Sequence, residues 1–170
     1  MRKSLAILPL LVCAAGVLAV AGPASAAPST ATFEVTGGTL DIAVPASVDL
    51  GSVTASSAAQ ALTNVALGAV TVTDGRGVSS GWVATASATD FTGPQTLPGA
   101  SVYSPTAASA TNATVTAAAD QTLTTSAATV QTATLAVGVN SATWNPTVRV
   151  TIPANALAGT YSSTITQSVS

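Results

Sequence analysis

The sequence predicts an all-β chain of antiparallel sheets, and three observations predict it. Apolar and polar residues alternate with a period of two from Leu40 to the C-terminus. Pro and Gly interrupt that alternation where turns should fall, at Pro45, Gly51, Gly75, Gly77, Gly93, Pro94, Pro98, Gly99, Pro105, Gly138, Pro153 and Gly159. No stretch carries a convincing helical repeat. Alternation of this kind belongs to a sheet with one wet face, and two such sheets can bury their apolar faces against each other. The expected architecture is an antiparallel β-sandwich of the immunoglobulin-like, Greek-key type.

Taken in order, the chain opens on Arg2 and Lys3, an apolar run from Leu5 to Ala21, and the small residues Ala24-Ser25-Ala26. This is the pattern of a secretory signal peptide, residues 1–26, cleaved after Ala26. Cys13 lies inside the apolar run after Val12, where a lipoprotein signal would carry a small residue, so no lipid anchor is expected. Residues 27–170 suit a single domain that buries roughly 70% of its unfolded surface.

In "GTLDIAVP", Leu40, Ile42 and Val44 share a face opposite Thr39, Asp41 and Ala43. Residues 54–67, "TASSAAQALTNVAL", are alanine-rich but weakly amphipathic, and are expected to form a loop or a single turn. "VTVTD" sets Val70 and Val72 against Thr71 and Thr73. The chain then turns through Asp74-Gly75-Arg76-Gly77 and returns as "GWVATASATDF", which reads as a hairpin. On the returning strand Trp82 shares its face with Ala84, Ala86 and Ala88, a file of small side chains that leaves room for the indole. Residues 104–128 show the weakest pattern, with one strand expected around Val115. "TVRVTIP" and "TYSSTITQSV" close the chain as two further strands.

Composition excludes several functions. Beyond residue 26 the bases are Arg76 and Arg149, against Glu34, Asp41, Asp49, Asp74, Asp90 and Asp120, a formal net charge of −4. Nucleic acid is not an expected partner, because phosphate binding needs several bases. Thr and Ser interrupt every later apolar run, so no membrane span is expected in the mature chain. Residues 27–170 contain no His, Cys or Lys, which removes the partners of Ser-His, Cys-His, Ser-Lys and Schiff-base chemistry. Scattered carboxylates leave a glycosidase-type pair conceivable, but no spacing singles one out. The chain is read as a non-enzyme without cofactor or metal.

The segments "LGAVTVTDGRGVSSGWVATASATDFTG", "LPGASVY" and "SATWNPTVRVTIPANALAGTYSSTITQSV" together resemble the WxL domain over residues 32 to 170. Asp74, Arg76, Gly77, Gly81 and Trp82, the Trp144 segment and Pro153 to Tyr161 carry the likeness. The two Trp-x-Leu motifs of that family are altered, to Trp82-Val83-Ala84 and to Gln167-Ser168-Val169. WxL domains are secreted modules of Gram-positive bacteria that associate non-covalently with the cell wall. The resemblance therefore implies residues 27–170 as one WxL-like domain at the cell surface, with peptidoglycan or an attached polymer as ligand. It implies a membrane-anchored surface protein as a further partner.

Candidate residues follow from these readings. Asp74, Arg76, Gly77 and Asp90 form the expected structural set, with Asp74 capping the turn and Arg76 pairing with Asp74 or Asp90. A calcium cage from the two acids is the competing reading, disfavoured by the sparse Asp and Asn. Trp82, Trp144 and Tyr161 are the candidate binding residues, since an exposed aromatic can stack on a sugar ring. For Trp82 the alanine file argues for burial, while Trp144, just before Asn145-Pro146, is open to either role. Gln167 falls on the face of Ile165 and Val169, and is expected at the rim or bonded to neighbouring backbone, because an unpartnered buried amide costs about 1–3 kcal/mol. A second class of function is also open: Ser/Thr-rich, charge-poor strands can assemble through their edges as a pilin-like structural subunit.

Overall fold

The computed structural model describes residues 27–97, 101–134 and 136–170. The signal peptide expected at residues 1–26 and the turn expected at Pro98–Gly99 lie outside the described residues. Residues 27–34 are exposed and irregular, and Val35–Ser170 forms a compact unit.

Among the described residues there are twelve strands and no helix. They are β1 (Leu40–Ala43), β2 (Gln60–Ala66), β3 (Val70–Asp74), β4 (Trp82–Ala88), β5 (Ser101–Ser104) and β6 (Ser109–Thr111). They continue as β7 (Thr114–Ala117), β8 (Gln121–Thr122), β9 (Ala128–Thr134), β10 (Asn140–Trp144), β11 (Thr147–Ile152) and β12 (Ile165–Val169). All pairings are antiparallel, in three four-stranded sheets: A, ordered β1-β3-β10-β6; B, ordered β2-β11-β5-β8; and C, ordered β12-β4-β9-β7. The arrangement is consistent with a β-sandwich.

Sheets A and B are two halves of one bent layer. The strand pair β3–β10 ends with Trp144 opposite Val70, and the pair β2–β11 resumes with Thr147 opposite Ala66. Between them the Leu67 amide donates to the Pro146 carbonyl at 2.9 Å. Pro146 has no N–H to return, and Gly68 takes a φ of +86° that side chains rarely adopt, so the ladder bends here without ending. β1 flanks β3 alone and stops at Ala43, and β2 is the outermost strand of sheet B. The layer therefore has a strand beside its upper half and none beside its lower half. Residues 44–56 pass this gap without regular structure.

The inner faces of all three sheets converge on one core. Val70 and Val72 of β3, Trp82, Ala84, Ala86 and Ala88 of β4, Tyr103 of β5, Val130 of β9, Trp144 of β10 and Val148 and Val150 of β11 belong to a single buried cluster. The alanine file does what the sequence implied, and Trp82 is 2% exposed above it. A bulge in the β4–β9 pairing adds one residue to β9 between Thr129 and Gln131, so that Val130 and Gln131 are buried in succession.

Four expectations need correction. The segment from Val70 to Ala88 is not a hairpin: β3 lies in sheet A and β4 in sheet C. Its turn is an arch from one layer to the other, because Val72 and Ala84 have to meet face to face in the core and cannot do so side by side in one sheet. Residues 60–66, expected as loop or turn, form strand β2; their leucine and valine find cover against β11, which outweighs the helix preference of the alanines. Residues 104–128 hold three short strands where one, at Val115, was expected. The closing strand is shorter than its pattern: β12 starts at Ile165, and Ser162 makes an isolated bridge with Thr92.

Candidate functional site

Asp74 is the last inward position of β3, with no exposed surface, and a buried carboxylate requires compensation. Arg76 supplies most of it, from two residues along the turn. Its backbone amide and Nε both donate to Asp74 Oδ1, at 3.0 and 2.9 Å, and its Nη2 donates to Oδ2 at 2.9 Å. The same Nη2 reaches the Gly81 carbonyl at 3.2 Å, closing the arch. The arch needs Gly77 at a φ of +69° and Gly81 against the backbone of β9, where a Cβ would meet the Ala133 carbonyl. Asn140, opposite Asp74 in the β3–β10 register, donates from Nδ2 to Asp74 Oδ2 at 3.2 Å and accepts the Trp82 indole N–H at 3.0 Å. The Arg76 guanidinium holds the Asp74 carboxyl down at about 2, against burial that pushes it up, with the Arg76 amide and Asn140 helping. Asp74 in turn raises Arg76. A carboxylate so fully bonded is a structural anchor.

A second polar relay crosses the core at its other end. The Trp144 indole donates to the Tyr103 hydroxyl at 3.1 Å, and that hydroxyl donates to Gln167 Oε1 at 2.8 Å. Burial pushes Tyr103 up to about 12, with the Trp144 bond pulling the other way. Gln167 is half-buried, as a rim position would be, but its partner is a side chain from sheet B where backbone was expected. A further amide, Gln131, is fully buried and donates to the Thr106 carbonyl at 2.7 Å, and its Oε1 has no partner among the described residues.

Two surfaces face outward. The first is a groove of about 830 Å³ in the gap beside β2, between the outermost strands β2 and β12 and walled by the segments on either side of Asp49 and Leu157. The second is the outer face of sheet C. There the register sets Thr114 opposite Thr134 and Thr116 opposite Thr132 on β7 and β9, and Ser168 opposite Thr85 and Thr166 opposite Ser87 on β12 and β4. Strand alternation turns these hydroxyls outward while Val115, Ala84, Ala86 and Gln167 turn in. No ionisable side chain stands at any of these outward positions.

The candidate residues are thus distributed over different places. Trp82 and Trp144 are enclosed, at 2% and 1% exposure, and neither presents a ring face to a ligand. Tyr161 is half-buried and lines the groove, with its hydroxyl donating to the Leu157 carbonyl at 2.7 Å. Asp74, Arg76 and Gly77 form the turn. Asp90 does not join them: it is exposed and lies beyond the far end of β4, roughly 25 Å along the chain from Trp82 at ~3.3 Å per residue, too far to share a cation with Asp74. Asn140, Tyr103 and Gln131 carry no sequence signal for their roles, since each depends on cross-sheet partners. Compared with known protein families, curated proteins and solved structures, the chain matches none.

Proposed function

We propose that the chain is a secreted, non-catalytic cell-surface module, an immunoglobulin-like Greek-key sandwich of WxL type that associates non-covalently with the bacterial cell wall, through peptidoglycan or a polymer attached to it. The observation that carries this reading is the uncharged hydroxyl face of sheet C. Wall glycans present hydroxyl and amide groups along a repeating chain, and a flat array of Ser and Thr at the spacing of paired strands offers matching donors and acceptors. Each such bond nets only about 0.5–1.5 kcal/mol, so adhesion arises from many weak contacts engaged together. The lack of His, Cys and Lys beyond residue 26 supports a binding role over a catalytic one. The likeness to WxL domains supports the wall as the ligand and a membrane-anchored surface protein as a further partner.

The test mixes the purified protein with isolated cell walls and follows the pelleted fraction. Wild-type protein should pellet, with little dependence on salt because no charges are involved. Thr116→Asp and Thr166→Asp together, exposed and on the two outer strands of the sheet so that the new charges do not face each other, should release it with little change in melting temperature, whereas Tyr161→Ala at the groove should leave binding intact. Protein that stays in the supernatant at every ionic strength defeats the reading.

A further inference from the structure

The edge of β2 has no hydrogen-bonded neighbour: residues 44–56 run past it and wall the groove without a backbone bond to the strand. β3 has β1 as its outer neighbour, while β2, its continuation across the bend, has none. The groove there is lined by Leu50, Leu62, Ile152, Leu157, Tyr161 and Ile165, so it offers apolar pockets as well as a strand edge. The bulge at Asn64, which has a φ of +54°, ends the regular part of that edge. The straight stretch runs from Gln60 to Thr63, long enough for a segment of four or five residues.

The chain carries a segment of that kind. Residues 27–36, freed by the cleavage expected after Ala26, lie before the first strand and are exposed and irregular. Within them Ala31, Phe33 and Val35 alternate with Thr32, Glu34 and Thr36, the pattern of a strand with one apolar face. Phe33 and Val35, 91% and 83% exposed, are the most exposed large hydrophobic residues among those described. The root of this arm is fixed: the Gly38 amide donates to the Gly75 carbonyl, and the Gly75 amide to the Thr39 carbonyl, both at 2.7 Å. That anchorage is at the start of β1, whereas the groove begins beyond its end, past Ala43. An arm would have to reverse at Gly37–Gly38 to enter the groove of its own molecule.

We propose that the groove beside β2 accepts the N-terminal arm of a second copy of this chain, residues 31–35 adding as an edge strand with Phe33 and Val35 in the apolar pockets. Main-chain bonds to β2 hold the added strand and the alternate side chains set its register. The contact is heterologous, arm of one copy into groove of the next, so it propagates into chains unless it closes. It stands apart from wall adhesion, which uses the outer face of sheet C.

The experiment uses the full chain expressed in a secreting host, purified from the medium and sedimented over a range of concentrations without cell walls. Two variants at exposed positions separate the halves of the contact: Phe33→Asp in the arm, and Leu157→Asp, 54% exposed, at the groove. Wild-type protein should associate as concentration rises, and each variant alone should associate roughly 100-fold more weakly, the loss that accompanies removal of one large buried apolar anchor. Mixed together, the variants should form one-to-one pairs, since one retains its groove and the other its arm. Wild-type protein that is monomeric throughout, or a mixture that behaves as two separate monomers, overturns the proposal. So does a monomer whose β2 amides lose exchange protection on Phe33→Asp, which would put the arm in its own groove.

Discussion

The indole N–H of Trp82 donates to Oδ1 of Asn140 at 3.0 Å across 58 residues of sequence. The other end of the same amide donates to Asp74, so one side chain couples the largest core residue of sheet C to the buried carboxylate of sheet A. Asn140→Ala leaves an indole N–H and a carboxylate oxygen short of partners in the core. It should lower stability by about 2–3 kcal/mol, seen as a lower urea midpoint with an unchanged slope. A change below the error of the fit would mean that water replaces the amide.

The Asp74–Arg76 pair should give the protein an acid-sensitive component. The folded-state value of Asp74 is about 2 against an ordinary 3.8, so the unfolded chain takes up its proton first as pH falls. The stability contributed is complete above about pH 4 and is lost between there and pH 2. Arg76→Ala removes the largest cause of the shift. Its melting temperature should lie below wild type at neutral pH, and the two should converge as pH drops through that window. A gap that stays constant from pH 7 to 2 would place the effect of Arg76 elsewhere.

Tyr103 makes the opposite prediction at the alkaline end. Its folded value is raised from 10.0 to about 12, so the unfolded chain ionises first and stability falls as pH rises between those values. Tyr103→Phe should lack that part of the decline. At neutral pH it should cost about 1–3 kcal/mol, because the Trp144 indole N–H is left unpartnered in the core. Thermal unfolding measured from pH 7 to 12 reads both effects.

Gly81 permits the close approach of the arch to β9, and Gly81→Ala drives a methyl group into the Ala133 carbonyl. The backbones have to separate at the point where Trp82 enters the core. The expected cost is about 1–3 kcal/mol, with loss of amide exchange protection concentrated in β4 and β9. Unchanged protection there would show that the arch has slack.

Much of this could be read along the chain, because alternation is a local property. The inward faces of β3, β4 and β12, the burial of Trp82 over its alanines and the cap of Asp74 on its turn all follow from residues within a few positions of one another. What failed did so where a local pattern has two tertiary solutions. Val70 to Ala88 scans as a hairpin or as an arch, and strand β2 scans as a loop until β11 covers Leu62 and Val65. Gln131 would face solvent under strict alternation, and only a bulge formed with β4 turns it inward.

The sequence by itself determined the strand class of this protein, the inward and outward faces of most strands, and a chemistry without His, Cys or Lys beyond residue 26. Tertiary structure alone decided which strands are neighbours. From that came the Trp82–Asn140–Asp74 and Trp144–Tyr103–Gln167 relays, the hydroxyl face of sheet C and the gap beside β2. The physical reason is that side-chain direction in a strand is set by the backbone every two residues, whereas partner choice is set by which apolar faces can be covered together, and that depends on the whole chain at once.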